Sequence, residues 1–325
     1  MAKVVHWLSR ALLVVFALFS LAAVIGILYQ NIVTTRDLRE HPMPGILVDV
    51  GGYLLHINCM GHGSPTVILD AGTGDSFYIW SKAQPQIATF TQVCSYDRAG
   101  LGYSEASPFP RTSRVIAQEL QKLLVNSQIA PPYVMVGHST GGFNVRVYTS
   151  QNASFVVGMI LVDSSHPDQR NRFPPIVTKQ VPSDLDLRNA KLFEWQVPFG
   201  IPRLRKQCGS DPVDITLNCL FRDARAWVGE IEAFPESAAQ AASTGPFGDI
   251  PLSVLSRDPE KLPPEFSPDV GKIVNDIWEK MQEELRTLST QGTQRIAKNS
   301  SHHIQIDRPE LVVEEVRKIV EKARR

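Results

Sequence analysis

The sequence predicts an α/β fold: a mostly parallel central sheet with helices on both faces, interrupted by a helical cap insert and preceded by an N-terminal transmembrane helix. Three observations predict it. Short apolar segments rich in β-branched residues alternate with segments whose apolar residues recur at helical spacing, the pattern of a parallel sheet built from crossover units. That alternation stops near Pro167 and resumes near Pro251, with frequent prolines and mixed charges between. Ahead of both, residues 11–29 are almost wholly apolar and carry no charge. The chain has 325 residues, 43% of them apolar, and a formal net charge of zero. That is enough for a large core and gives no electrostatic reason to expect a nucleic-acid partner.

Taken in order, residues 11–29 are nearly long enough to cross a hydrocarbon core of ~30 Å at 1.5 Å per helical residue. Ser20 is the only clearly polar residue in that run. Lys3, Arg10 and the α-amino group precede it, and Arg36, Asp37, Arg39 and Glu40 follow and cancel. The amino group tips the positive-inside balance, so residues 1–10 are expected in the cytoplasm and the rest on the extracytoplasmic side. An uncleaved single-pass signal anchor is expected rather than a cleaved signal peptide, because apolar character continues past Ser20-Leu21-Ala22. Residues 30–45 read as a linker, with Pro42, Pro44 and Gly45 at its end.

Residues 46–166 and 250–325 read as one core. Strands over 46–50 and 53–58 flank Gly51-Gly52, a hairpin signal. Further strands are expected over 66–70, 92–96, 133–136 and 156–162, with a helix over 114–127 and another from Phe143. Residues 167–249 read as the helical insert, with an amphipathic helix over 217–234. A strand over 251–256, a helix over 270–288, a strand over 293–297 and a helix from Pro309 complete the core; proline suits a first helical turn. Cys59, Cys94, Cys208 and Cys219 make an even count, compatible with disulfides in an exported domain. Cys59–Cys94 with Cys208–Cys219 is the expected pairing, one of three possible. No Cys-x-x-Cys or His-x-x-x-His spacing suggests a metal.

Chemistry concentrates at Val134-Met135-Val136-Gly137-His138-Ser139-Thr140-Gly141-Gly142. An apolar strand running into Gly-x-Ser-x-Gly places a serine on a tight strand-to-helix turn, with its hydroxyl projecting from the end of the sheet. Gly137 and Gly141 stand where a Cβ would collide across the turn, and Gly142 lets the next helix approach the sheet. A serine hydroxyl needs a base within reach, and the base needs an orienting carboxylate. Among the histidines, His6 and His41 lie in or beside the apolar run, and His56 and His62 come before the elbow. His138 is inside it and is expected to point away from the hydroxyl, and His166 follows a strand end. His302 and His303 fall in a loop between the last strand and the last helix.

Two further segments resemble the α/β-hydrolase superfamily, and the likeness extends over about residues 45–325. Cys94-Ser95-Tyr96-Asp97-Arg98-Ala99-Gly100-Leu101-Gly102-Tyr103-Ser104 resembles the family's Asp-x-x-Gly-x-Gly-x-Ser loop. Ser301-His302-His303-Ile304-Gln305-Ile306-Asp307-Arg308-Pro309 resembles its small-His-apolar-apolar-Gln ending. The resemblance implies Ser139 as nucleophile and His302, rather than His303, as base. It offers Asp163 as the acid, at the end of the 156–162 strand. Asp258 and Glu260 are the alternatives, in a turn that lacks the family's glycine. The backbone N–H groups of Thr140 and Thr73 would form the oxyanion hole, with Ala71 standing where the family has histidine. Asp97 and Arg98 are expected to brace the loop that carries them.

The function so implied is a membrane-anchored serine hydrolase, carboxylesterase-like or lipase-like, acting on ester-like substrates through an acyl-enzyme. A serine nucleophile points away from dehalogenase or epoxide-hydrolase chemistry, for which family members use aspartate. The alternatives are a non-catalytic binding or scaffold protein on the same fold and a related serine-dependent activity such as aminopeptidase or perhydrolase. Expected partners are a small-molecule ester or amide and a lipid bilayer through residues 11–29, with no cofactor, no nucleic acid and no obligate protein partner.

Overall fold

A computed structural model of the protein describes residues 2–175, 183–262 and 266–325. Among them eight strands form one sheet: β1 (Ile46–Asp49), β2 (Leu54–Met60), β3 (Thr66–Asp70), β4 (Val93–Tyr96), β5 (Tyr133–His138), β6 (Val156–Val162), β7 (Leu252–Arg257) and β8 (Gly292–Ala297). Their order across the sheet is β1-β2-β4-β3-β5-β6-β7-β8. The first two strands pair antiparallel, β2 pairs antiparallel with β4, and the remaining pairs are parallel. The β1–β2 hairpin turns where Asp49 Oδ1 accepts the N–H groups of Gly51 (2.6 Å) and Gly52 (2.8 Å). Both glycines have positive φ, which a residue with a Cβ adopts at a cost.

Every residue of β3 and β5 is buried, as strands covered on both faces must be. Alternate residues of β5 feed two different cores. Met135 packs with Leu120, Leu123 and Leu124 of helix α2 (Ser113–Asn126) and with Val145 and Tyr148 of α3 (Gly141–Gln151). Val134 and Val136 pack with Leu311, Val312, Val316 and Val320 of the C-terminal helix Pro309–Ala323 on the opposite face. The α/β fold with helices on both faces is therefore the one the alternating pattern predicted.

Between β6 and β7 the described residues hold helices and no strand. The longest are α4 (Ser183–Gln196) and α5 (Phe221–Ala242). Residues 176–182 of the predicted insert lie outside the described residues. The helix expected to end near residue 234 runs on past Pro235 to Ala242. After the insert, α6 (Pro268–Arg286) crosses back to β8, and the C-terminal helix is α7.

The N-terminal helix α1 runs unbroken over Ala2–Glu40, so the linker expected from residue 30 is helical up to Glu40 and only residues 41–45 are irregular chain. The reason is tertiary. Gln30, Thr34 and Asp37 recur along one helix face, and Arg203 of the insert donates to all three. The disulfides Cys59–Cys94 and Cys208–Cys219 are both present, and among the described residues no cysteine is free. Cys59 and Cys94 are directly opposite on β2 and β4.

Candidate active site

Ser139 follows β5 with φ of 51°, the left-handed region that a non-glycine residue enters only under constraint. The constraint is visible on both sides. Its N–H donates to the Val162 carbonyl (3.1 Å), and its carbonyl accepts from Ser165 N–H (2.9 Å). A Cβ on Gly137 would sit 2.6 Å from the Gly141 backbone, and one on Gly141 would sit 2.5 Å from the Ala71 carbonyl. A Cβ on Gly142 would overlap Ser164 Oγ. Gly137 thus avoids a clash across the turn as its spacing suggested and Gly142 lets the helix approach the β6 end, whereas Gly141, expected to avoid a clash across the turn, instead makes room for the chain at the end of β3.

Asp163 directly follows β6, the strand beside β5, where His138 and Val162 are in register. It too has positive φ, 41°, and is fully buried. One carboxylate oxygen accepts from the Trp278 indole N–H (2.8 Å) and from the Arg257 backbone N–H (3.0 Å). The other accepts from His302 Nδ1 (2.6 Å), with Arg257 Nη1 3.4 Å away. Burial acts to raise the pKa of this carboxyl, but the Arg257 charge and the hydrogen bonds from His302 and Arg257 outweigh it and hold it at about 2. Facing an ionised carboxylate, Nδ1 carries the hydrogen, which leaves Nε2 of a neutral His302 with its lone pair.

The His302 ring lies 4.7 Å from that of His138, the residue before Ser139, and is partly exposed. His138 is itself buried, 1% exposed. Its Nε2 donates to the His302 carbonyl (3.1 Å), and burial pushes its pKa down, keeping it neutral as that donor. It pins the loop that presents His302. His303 packs 5.3 Å from both rings.

The two alternative acids are placed elsewhere. Asp258 accepts from the backbone N–H groups of Asn299 (2.8 Å) and Glu260 (3.1 Å), tying two loops together. Glu260 is exposed beside Lys298. On the other side of Ser139, Thr73 and Thr140, the residues whose N–H groups were expected as oxyanion donors, are joined through their hydroxyls at 2.8 Å. A cavity of about 650 Å³ opens there, walled by Thr73 and Gly74 and by Leu192, Phe193, Gln196 and Trp227 of the insert.

A family model described as an alpha/beta hydrolase family matches residues 55–315. The chain belongs to the alpha/beta hydrolase family. It is 26% identical over 289 residues to an AB hydrolase superfamily protein of Gibberella zeae, covering 80% of this chain and 87% of that one. Over 108 residues it is 32% identical to the uncharacterized protein YqjL of Bacillus subtilis, covering 33% of this chain and 43% of the relative. A 29% identical stretch of 134 residues, 36% of this chain, matches an uncharacterized vacuolar membrane protein of Saccharomyces cerevisiae but spans only 21% of that protein. Among solved structures, the epoxide hydrolase CorEH is similar with a TM-score of 0.62 at 18% identity, over 86% of this chain and 98% of that one. An esterase from Thermogutta terrifontis is similar with a TM-score of 0.59 at 19% identity, over 85% and 98%. At such identities the likeness concerns the fold.

Within this hydrolase fold, several important residues were not legible in the sequence. Asp97 braces its own loop as expected, accepting from Tyr103 N–H (3.0 Å), and it also holds Phe77 N–H (2.7 Å) and His56 Nδ1 (2.7 Å). Arg98 does something different from the bracing expected of it. Fully buried, it reaches across to the loop after β3, donating to the Ala71 (2.8 Å) and Gly72 (2.6 Å) carbonyls and to Asp70 (3.0 Å). Its remaining donors meet Glu230 of α5 at 2.6 and 2.9 Å, and Glu230 also accepts the Gly74 N–H (2.9 Å). One ion cluster therefore fastens the insert to the loop that carries Thr73. Trp278, Arg257 and Glu230 sit on ordinary helix and strand positions, and no local pattern marks them.

Proposed function

We propose that this hydrolase-family protein is a membrane-anchored serine hydrolase that cleaves ester-like substrates through an acyl-enzyme. The observation that carries the reading is the 2.6 Å contact between His302 Nδ1 and Asp163 Oδ2, placed on the strand end adjoining the strained Ser139. In this reading Ser139 Oγ attacks the substrate carbonyl while His302 Nε2 takes its proton. Asp163 keeps the imidazole in the tautomer that can do so and stabilises the imidazolium that forms. The tetrahedral oxyanion is held by the N–H groups of Thr140 and Thr73. Collapse expels the alcohol, protonated by His302, and leaves an ester on Ser139. Water then attacks that ester with His302 again as base, restoring the serine.

The insert serves as a cap that sets acyl or alcohol specificity through the cavity beside Thr73. Helix α1 holds the enzyme on a bilayer as a single-pass anchor, with its N-terminus cytoplasmic and the catalytic domain on the extracytoplasmic side. The described helix from Val4 to Glu40 is long and apolar enough to cross a membrane, and two disulfides suit an oxidising compartment. The test is labelling of the full-length protein with a fluorophosphonate probe. Labelling that disappears in Ser139→Ala supports the mechanism. A protein that remains unlabelled when folded points to a non-catalytic binding role instead.

A further inference from the structure

Helix α1 does not leave the body of the protein at its C-terminal end. It is docked against the cap well before that, at the last turns of its apolar stretch. A Cβ on Gly26 would lie 2.6 Å from the Phe199 carbonyl, and one on Gly200 would lie 2.7 Å from the Tyr29 ring. Gln30 donates to the Cys219 carbonyl (2.7 Å), and Arg203 closes the contact through Gln30, Thr34 and Asp37. Gly26 is about one helical turn, some 4–5 Å, inside the end of the apolar run at Tyr29. The cap segment touching it must then sit at the level of the lipid surface.

The cap carries apolar side chains with no protein cover at this level. Trp195, which packs on Phe199 with ring centroids 5.5 Å apart, is 59% exposed, and Leu192 and Leu204 are 52% and 68% exposed. On α1 itself Ile25 and Leu28, in the same stretch of the helix, are likewise exposed (58% and 55%). Exposed Arg205 and Lys206 follow Leu204, the order expected where an apolar edge gives way to the phosphate layer. An indole suits that boundary, with an apolar body and one polar N–H.

We infer that the rim of the cap formed by Leu192, Trp195 and Leu204 is a lipid-facing surface, inserted into the bilayer interface beside the anchor. The inference rests on the proposed membrane anchoring through α1. Leu192 belongs to both the rim and the wall of the cavity next to Thr73. That shared residue brings the cavity wall to the lipid-facing rim, so in this inference an ester dissolved in the leaflet enters the cavity past Leu192.

The experiment uses the full-length protein reconstituted in phosphatidylcholine vesicles, with and without 5-doxyl phosphatidylcholine as a shallow quencher. The Trp195 signal is wild type minus Trp195→Phe, and the Trp7 signal is wild type minus Trp7→Phe. Both signals are expected to fall at least twofold with the labelled lipid. If Trp7 is quenched and Trp195 is not, the anchor stands and the cap surface does not. If neither responds, membrane anchoring fails and the inference falls with it. A Leu204→Trp change in the Trp195→Phe background reads the same depth from a second position. In parallel, Trp195→Gln with Leu204→Gln should lower turnover of a long-chain ester carried in vesicles at least fivefold and leave a water-soluble acetyl ester unaffected. An equal loss on both substrates argues against the surface.

Discussion

Replacing Glu230 by glutamine tests whether the cap is structurally coupled to the loop that carries Thr73. Glu230 accepts three hydrogen bonds, two from Arg98 (2.6 and 2.9 Å) and one from Gly74 N–H (2.9 Å), and its side chain is only 6% exposed. Glutamine keeps one acceptor oxygen and turns the other into a donor that faces donors. The change removes at least one charge-assisted bond, worth about 2 kcal/mol, and leaves a buried donor unsatisfied. Arg98 still has Asp70 at 3.0 Å, so the charge is not orphaned. That keeps the loss at the lower end of the ~3–5 kcal/mol seen when a buried ion pair is broken. A stability loss of about 3 kcal/mol is expected, a fall in Tm of roughly 6 °C for a domain of this size. Freed from Glu230, Gly74 no longer fixes the Thr73 N–H. Complete loss of one oxyanion donor costs ~3 kcal/mol, and a loosened one about half of that, so kcat should fall roughly tenfold. The assay is p-nitrophenyl butyrate hydrolysis together with thermal unfolding of the detergent-solubilised full-length protein. A Tm within 1 °C of wild type and a kcat within about twofold would refute the coupling.

Other outcomes follow from the same geometry. Asp163→Asn should lower kcat by about 10⁴, the scale for a triad left with the wrong imidazole tautomer, whereas Asp258→Asn should stay within a few-fold; the reverse ranking would reassign the acid. The Asp163 carboxyl, held at about 2 against an ordinary 3.8, has a depressed folded-state pKa. Its contribution, about 2 kcal/mol, is present above pH ~4 and disappears as pH falls through about 2. The stability gap between wild type and Asp163→Asn should therefore shrink between pH 5 and pH 2, and a pH-independent gap in chemical denaturation speaks against the assignment. Removing Cys59–Cys94, which spans 35 residues, should cost about 4 kcal/mol, against about 3 kcal/mol for Cys208–Cys219, which spans 11. Comparing Tm values of the paired Cys→Ala variants checks the order.

What was legible in the chain obeys short-range rules. The parallel strands announce themselves by β-branched runs. The Ser139 turn shows in the glycines at 137, 141 and 142, because each clash they avoid is with chain brought close by the turn itself or by the adjoining strand end. The apolar run of α1 is likewise a local property. Position between the last strand and the last helix singled out the pair His302 and His303, and only the family resemblance of residues 301–309 chose His302 from it.

Only the tertiary structure sets the three candidate acids apart by their surroundings. Asp163, Asp258 and Glu260 all follow strands, and composition does not separate them. β6 lies beside β5 in the sheet, which brings Asp163 to the same edge as Ser139, and Trp278 and Arg257 then stabilise its charge there. Asp258 is spent on backbone N–H groups of its own neighbourhood. The same holds for Arg98 with Glu230, 132 residues apart, and for Arg203 with Asp37, 166 apart. A side chain's sequence context determines which bonds it is able to make. Which partner it meets depends on how distant segments are packed, and no local period encodes that.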